Sequence, residues 1–186
     1  FIKLFLEEED LKVRILLDVS KSMNYGDPSK LLYGKRVAAA LGYISLCGMD
    51  TLVFKSFSDD LKSSYGPKKG KINGPRYFNF LSGLEPSEEE TSLKTAFKSL
   101  AFSEKGKGMA VVISDFYDFS GYEEAFRWLI GRGFEVLAIH VLSPQELKPD
   151  VVGDISLVDC EFGVSADVSV GRSLLKAYER TLNAFR

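Results

Sequence analysis

Val13-Arg14-Ile15-Leu16-Leu17-Asp18-Val19-Ser20-Lys21-Ser22 is an apolar run that stops abruptly at a carboxylate and two hydroxyls. Such a run reads as a buried strand, and the polar residues after it mark the point where the chain leaves the sheet. One carboxylate and two hydroxyls at alternate positions of a turn can face a common point. They are hard oxygen donors of the kind that Mg²⁺ and Mn²⁺ prefer. A plainer reading is open at these five residues, with Ser20 and Ser22 serving as turn and cap residues for the following helix.

Two further segments bear on that choice. Val111, Val112 and Ile113 form a second apolar run that also ends in a hydroxyl and an acid, Ser114-Asp115, and Thr91 follows the polar loop from Pro86 to Glu90. Three loops thus supply oxygens.

Strand and helix patterns alternate along the chain as expected for parallel strands joined by crossover helices. The spacing predicts strands at 11–17, 51–57, 109–114 and 135–141, with 61–65 as a short antiparallel edge strand after the turn at 58–60. Helices are predicted at 31–47, 77–84 and 93–102. A further helix runs to Ile130 from a capping box at Ser120 and Glu123, and Gly131 and Gly133 end it. Beyond Pro144 the pattern changes to short alternating segments, 155–158 and 164–170 around Gly163, followed by an amphipathic helix at 174–185. The expected fold is a doubly wound, mostly parallel α/β sheet with helices on both faces, plus a β-hairpin and a C-terminal helix. A single domain is expected over 1–186, with a core at about 11–142 and an extension at about 143–186. The chain begins at Phe1 in a strand-like pattern without Met, which suggests a domain excised from a longer chain.

Composition narrows the function classes. The 186 residues are 45% hydrophobic, enough for a full core. A net charge of -2 predicts no general attraction to nucleic acid or to an anionic membrane. Cys47 and Cys160 read as small buried hydrophobes in a reducing compartment, and without a CxxC pair a zinc or thiol redox site is not indicated. No apolar stretch reaches the length of a membrane span, and no signal peptide is read.

In an open parallel sheet, ligands bind beyond the carboxyl ends of the strands where neighbouring connections leave to opposite faces. If the strands ending at Asp18 and Asp115 are adjacent, both carboxylates reach the same edge. At this point the residues resemble a known pattern. Asp18-x-Ser20-x-Ser22, Thr91 followed by Leu93, and Asp115 after an apolar strand look like the metal-ion-dependent adhesion site of von Willebrand factor A domains. The lead-in Lys3, Phe5 and Glu8, the Leu-Leu-Asp-Val-Ser-Lys-Ser-Met run ending at Met23, the Ser114-Asp115-Phe116 step and the Ser143-Pro144-Gln145-Glu146-Leu147 segment resemble the bacterial family called domain of unknown function fifty-eight, over nearly the whole chain. That family is similar to von Willebrand A domains in its carboxyl half, is typically anchored by membrane helices ahead of it, and is often encoded beside MoxR-type AAA+ ATPases.

The resemblance implies a cytoplasmic adaptor and not an enzyme. By resemblance, Ser20 and Ser22 coordinate Mg²⁺ or Mn²⁺ directly, Thr91 does so in the ligand-bound arrangement, and Asp18 and Asp115 act directly or through water. A protein partner would supply an Asp or Glu to the ion, with a MoxR-type ATPase or its client as the implied partner. No nucleic-acid partner is implied, and a membrane would be reached only through regions outside this chain.

Other features carry less. Ser87-Glu88-Glu89-Glu90 stands where the wider superfamily usually carries glycine; it reads as a solvated acidic turn capping the next helix, or as a carboxylate reaching the ion. Lys68, Lys69, Lys71 and Arg76 among glycines and prolines suggest a phosphate loop, but the spacing from Gly66 to Gly70 is one residue short and Ile72 stands where a hydroxyl is needed. A basic hairpin is the expected reading. His140 and Trp128 read as core residues. The rival function is a Mg²⁺-dependent aspartyl phosphatase or phosphotransferase with Asp18 as nucleophile, Asp115 and Asp118 on the ion, and Lys105 or Lys107 against the phosphoryl group. Ser20 stands where such enzymes place a general acid, a role a serine cannot take near neutral pH. A vestigial, purely structural domain is the remaining alternative.

Overall fold

In a computed structural model describing residues 11–104, 107–118, 120–158 and 165–185, the run that opens the sequence analysis is the middle strand of the sheet. Strands β1 (Lys12–Asp18), β2 (Thr51–Phe57), β3 (Leu61–Lys68), β4 (Gly108–Ser114) and β5 (Phe134–His140) pair in the order β3-β2-β1-β4-β5. All neighbours are parallel except β3, which runs antiparallel along the β2 edge. It extends to Lys68, past the expected end at Tyr65, because irregularities in its register let it stay paired as far as Leu52. A separate antiparallel hairpin joins β6 (Gly153–Val158) to β7 (Ser165–Val170).

Side chains alternate across the central strands and divide the interior into two cores. Ile15, Leu17, Leu52, Phe54, Val111 and Ile113 face one side. They pack there against α1 (Lys30–Cys47) and α2 (Gly74–Ser82), through Ala38, Leu46, Tyr77 and Leu81. Leu16, Phe57, Ala110 and Val112 face the other side. Their partners are Leu93, Phe97 and Leu100 of α3 (Leu93–Ser103) and Ala125 and Leu129 of α4 (Glu123–Gly131). β1 therefore leaves toward α1 on one face and β4 toward α4 on the other, which makes the β1/β4 boundary the topological switch point. The extension adds the single turn α5 (Pro144–Leu147) and the terminal helix α6 (Arg172–Phe185).

Several local expectations are corrected. No capping box starts α4: the Ser120 N–H and hydroxyl both donate to Asp118 Oδ1, at 2.7 and 2.6 Å, and Tyr122 precedes the helix without a side-chain cap. The motif occurs at Ser143 and Glu146, ahead of α5. Cys47 is exposed and not buried, because α1 turns that face outward. Trp128 is half-buried at the rim, its ring 5.8 Å from that of Phe102. His140 is also half-buried, 5.3 Å from the Phe185 ring. Lys3, Phe5, Glu8, Lys105, Cys160 and Gly163 lie outside the described residues.

α1 and α2 approach closely at Gly42, where an added Cβ would overlap the fully buried Tyr77 ring, itself held by a 2.9 Å hydrogen bond from its hydroxyl to the Ala38 carbonyl. Gly42→Ala is expected to lower stability by about 1–3 kcal/mol, the usual cost of overfilling a packed interior, as read by urea denaturation.

Candidate functional site

The carboxyl ends of β1 and β4 bring two acids to one edge. Asp18 and Asp115 are both fully buried. Asp18 Oδ1 accepts the Ser20 N–H at 2.9 Å, and Oδ2 accepts the Ser114 hydroxyl at 2.6 Å. The Ser114 oxygen in turn accepts the Phe116 N–H at 2.8 Å. Phe116 holds a positive φ of 56°, uncommon for a bulky side chain and concentrated in proteins at working sites. Burial, with the Asp115 charge adding to it, pushes the Asp18 carboxyl up to about 7, although hydrogen bonds from Ser114 and Ser20 act the other way.

Ser20 and Ser22 are buried, and their hydroxyl oxygens lie 3.1 Å apart. Neither acts as the helix cap: Ser20 precedes a 3-10 turn, Lys21–Asn24, without a side-chain cap bond, and α1 is capped by Ser29, which accepts the Leu32 N–H at 3.2 Å. The two hydroxyls are thus turned inward with the carboxylates, beyond what local turn geometry requires.

Thr91 is nearly buried and lies in the loop between α2 and α3. Backbone bonds tie this loop to the strand ends: Ser87 N–H to the Val19 carbonyl at 2.6 Å, and Ser92 N–H to the Ser58 carbonyl at 2.9 Å. The Leu93 N–H donates to Asp118 Oδ2 at 2.8 Å, linking the same loop to the segment after β4. Two acidic residues of the loop, Glu88 and Glu89, are directed elsewhere. Glu89 pairs with Lys62 and accepts from Ser58 and Ser87, while Glu88 is exposed and lies 3.7 Å from Lys21. The loop serine expected to cap α3, Ser87, is spent on Glu89, and Ser92 precedes the helix without a cap bond.

Lys30 and Glu146 complete the cluster; Lys30 was not singled out from the sequence, and Glu146 was quoted only within the Ser143–Leu147 segment, with no role at the site. The buried Lys30 ammonium donates to Asp115 Oδ2 at 2.7 Å and to Glu146 Oε1 at 2.6 Å, and it lies 5.2 Å from the centre of the Tyr117 ring. Burial would lower its pKa, but Asp115 and Glu146 outweigh that and raise it. A sequence signal exists: a lysine directly after the helix cap opposes the helix dipole, and such a cation is retained when tertiary partners hold it. Glu146 also closes the capping box with the Ser143 N–H at 2.7 Å, and its carbonyl accepts the Tyr178 hydroxyl at 2.7 Å, so α6 is fastened to the same network.

The donor set at this edge is all oxygen. Among the described residues no three His, Cys, Asp or Glu side chains form a metal-binding group, so a cation here would depend on the hydroxyls beside Asp18 and Asp115. Their spacing fits one. Ligands at 2.0–2.1 Å around octahedral Mg²⁺ stand about 2.9 Å from their neighbours, close to the 3.1 Å between the hydrogen-bonded Ser20 and Ser22 oxygens.

A family model described as "Protein of unknown function DUF58" matches residues 1–186. Uncharacterised proteins of Mycobacterium bovis and Mycobacterium tuberculosis are 25% identical over 189 residues, covering 100% of this chain and 59% of their own length. The chain thus spans somewhat more than half of these curated relatives. Among solved structures, an aerotolerance-related membrane protein from Bacteroides fragilis, carrying multiple mutations to serines, aligns with a TM-score of 0.59 at 22% identity over 93% of this chain and 88% of that one. The conserved hypothetical protein BatB from Bacteroides thetaiotaomicron aligns with a TM-score of 0.57 at 17% identity over 91% and 85%. These likenesses concern the fold. Among the described residues no helix is long and apolar enough to cross a membrane.

Two outcomes follow from the buried charges. Lys30→Ala strands two carboxylates and should cost about 3–5 kcal/mol, whereas Glu146→Gln leaves the Lys30–Asp115 pair and should cost about 1 kcal/mol; chemical denaturation of both variants checks the order. Without divalent cations, folded Asp18 holds its proton up to about pH 7, whereas the unfolded residue releases it near 3.9. The folded state binds more protons between these values, so stability should fall as pH rises from about 4 to 7, by at most roughly 4 kcal/mol. Asp18→Asn should flatten that slope.

Proposed function

The chain belongs to the DUF58 family of proteins of unknown function, and we propose that it is a metal-dependent interaction domain of the von Willebrand A type. Ser20 and Ser22 would hold Mg²⁺ or Mn²⁺ directly, Thr91 would join them when a partner is bound, and Asp18 and Asp115 would act directly or through water. The observation that carries this reading is the convergence of two inward-turned hydroxyls, one octahedral edge apart, with two buried carboxylates at the switch point of the sheet.

When bound, the ion supplies a strongly electrophilic centre, because neutral hydroxyls in its inner shell leave its charge largely uncompensated. The chain's own residues do the rest. Asp18 is fixed through both oxygens by Ser20 and Ser114, and Asp115 is oriented by Lys30 and by the Tyr117 N–H at 3.1 Å. A partner's Asp or Glu would complete the coordination, with specificity set by the surrounding surface. By family resemblance the proposed partner is a MoxR-type AAA+ ATPase or its client. The same resemblance, with the membrane-protein description of the Bacteroides fragilis neighbour, supports a cytoplasmic part of a membrane-anchored protein.

The test is a thermal and calorimetric titration with Mg²⁺ and Mn²⁺. At a hundredfold excess over Kd the ion should stabilise the fold by about 2.7 kcal/mol, a rise in melting temperature of roughly 5–10 °C for a domain of this size. Ser20→Ala combined with Ser22→Ala should abolish the shift. Lys30→Met, if it folds, should bind the ion several-fold more tightly, because a competing cation leaves Asp115. Absence of binding at millimolar metal would overturn the proposal. Aryl phosphate hydrolysis that disappears in Asp18→Asn would replace it with the phosphatase reading.

A further inference from the structure

The basic segment expected as a hairpin is instead the turn from β3 through a 3-10 turn into α2, and it lies at the edge of the sheet opposite the metal site. Residues 61–84 contain five cations, Lys62, Lys68, Lys69, Lys71 and Arg76, and no acid, in a chain whose net charge is -2. Lys62 lies at the carboxyl edge, beside Asp59 and Glu89. Lys68, Lys69, Lys71 and Arg76 are exposed at the surface where β3 ends and α2 begins, because antiparallel β3 delivers Lys68 opposite Leu52, at the amino-terminal start of β2.

Large apolar side chains stand exposed among these cations. Ile72, in the 3-10 turn Lys71–Asn73, is 86% exposed, and Met49, in the turn before β2, is 59% exposed. The two turns adjoin: a Cβ on Gly70 would lie 3.6 Å from the Met49 sulfur. Gly74 in turn abuts the Tyr43 ring, whose centroid is 5.6 Å from that of Phe78. The Asn73 side chain ties the turn together, donating to the Lys69 carbonyl at 2.6 Å. A turn that offers an isoleucine to solvent between lysines matches the interface of an anionic bilayer, where apolar tips enter the acyl boundary and cations meet headgroup phosphates.

We propose that this face, formed by Lys68, Lys69, Lys71 and Arg76 around Ile72 and Met49, docks the domain on an anionic lipid surface. Strands of seven residues rising about 3.3 Å each hold the face roughly 20 Å from the oxygen cluster, so docking leaves that cluster pointing away from the lipid. The inference does not depend on metal binding.

Vesicle flotation tests it, with the 186-residue chain, phosphatidylcholine vesicles with and without 30% phosphatidylserine, and near-physiological salt. The chain should partition onto the anionic vesicles only, and 0.5 M NaCl should release most of it. The triple variant Lys68→Glu, Lys69→Glu, Lys71→Glu should lose at least tenfold in partitioning, and Ile72→Asp several-fold, with melting temperatures unchanged because all four positions are exposed. Equal binding to neutral vesicles, or no binding to either, overturns the proposal. So does binding of DNA in place of vesicles that is lost in the triple variant, which would assign the face to nucleic acid. Vesicle binding that appears only after removal of residues 1–10 also overturns it, assigning the face to the chain's own acidic run from Glu7 to Asp10.

Discussion

Two carboxylates buried side by side at the ends of β1 and β4 are the constraint around which the rest of this edge is built. Like charges out of water repel each other and forfeit hydration, so each needs its own compensation. Asp18 takes it from the Ser20 N–H and the Ser114 hydroxyl, Asp115 from the Lys30 ammonium and the Tyr117 N–H. The partition is asymmetric. A full positive charge, the Lys30 ammonium, lies 2.7 Å from Asp115, while Asp18 receives only neutral donors and is the acid whose pKa burial raises. In the proposed function, that asymmetry leaves Asp18 as the acid that gains most from a divalent cation.

The same compensation organises the surrounding chain. Lys30 reaches Asp115 from the first position of α1, just after the Ser29 cap, and its second partner, Glu146, is fixed by the capping box at Ser143. The C-terminal extension is thereby joined to the core by the buried Lys30–Glu146 ion pair and by the Phe185 ring stacked 5.6 Å from that of Tyr117, while the Tyr178–Glu146 hydrogen bond ties α6 to α5 within it. The α2–α3 loop is joined by backbone bonds at Ser87 and Ser92, so the edge is closed on several sides by segments distant in sequence.

Much of this was legible in the sequence where local patterns decide structure. Short apolar runs such as 15–17 and 111–113, the latter β-branched throughout, each stopped abruptly by polar residues, read as interior strands, and those polar residues fix where Asp18 and Asp115 emerge. What was not legible depended on partners far along the chain. A lysine reads as solvent-facing by default, and Lys30 is buried only because Asp115 and Glu146 lie 85 and 116 residues away. Ser120 and Glu123 have capping-box spacing, yet Asp118 captures both donors of Ser120 first. The outward face of α1 was hidden for another reason: with Leu32, Tyr33, Tyr43 and Ile44 exposed, its apolar residues encircle the helix and periodicity cannot say where Cys47 points.

The central claim is positional, that one divalent ion would be held between the hydroxyls of Ser20 and Ser22 at the β1/β4 boundary. Anomalous diffraction from crystals grown with Mn²⁺ addresses it most directly. The account predicts a single strong peak about 2.1–2.2 Å from both serine oxygens, with Asp18 and Asp115 bound to it directly or through one water. A structure diffracting well in millimolar Mn²⁺ with no peak there, or with its peak at another site, would contradict it.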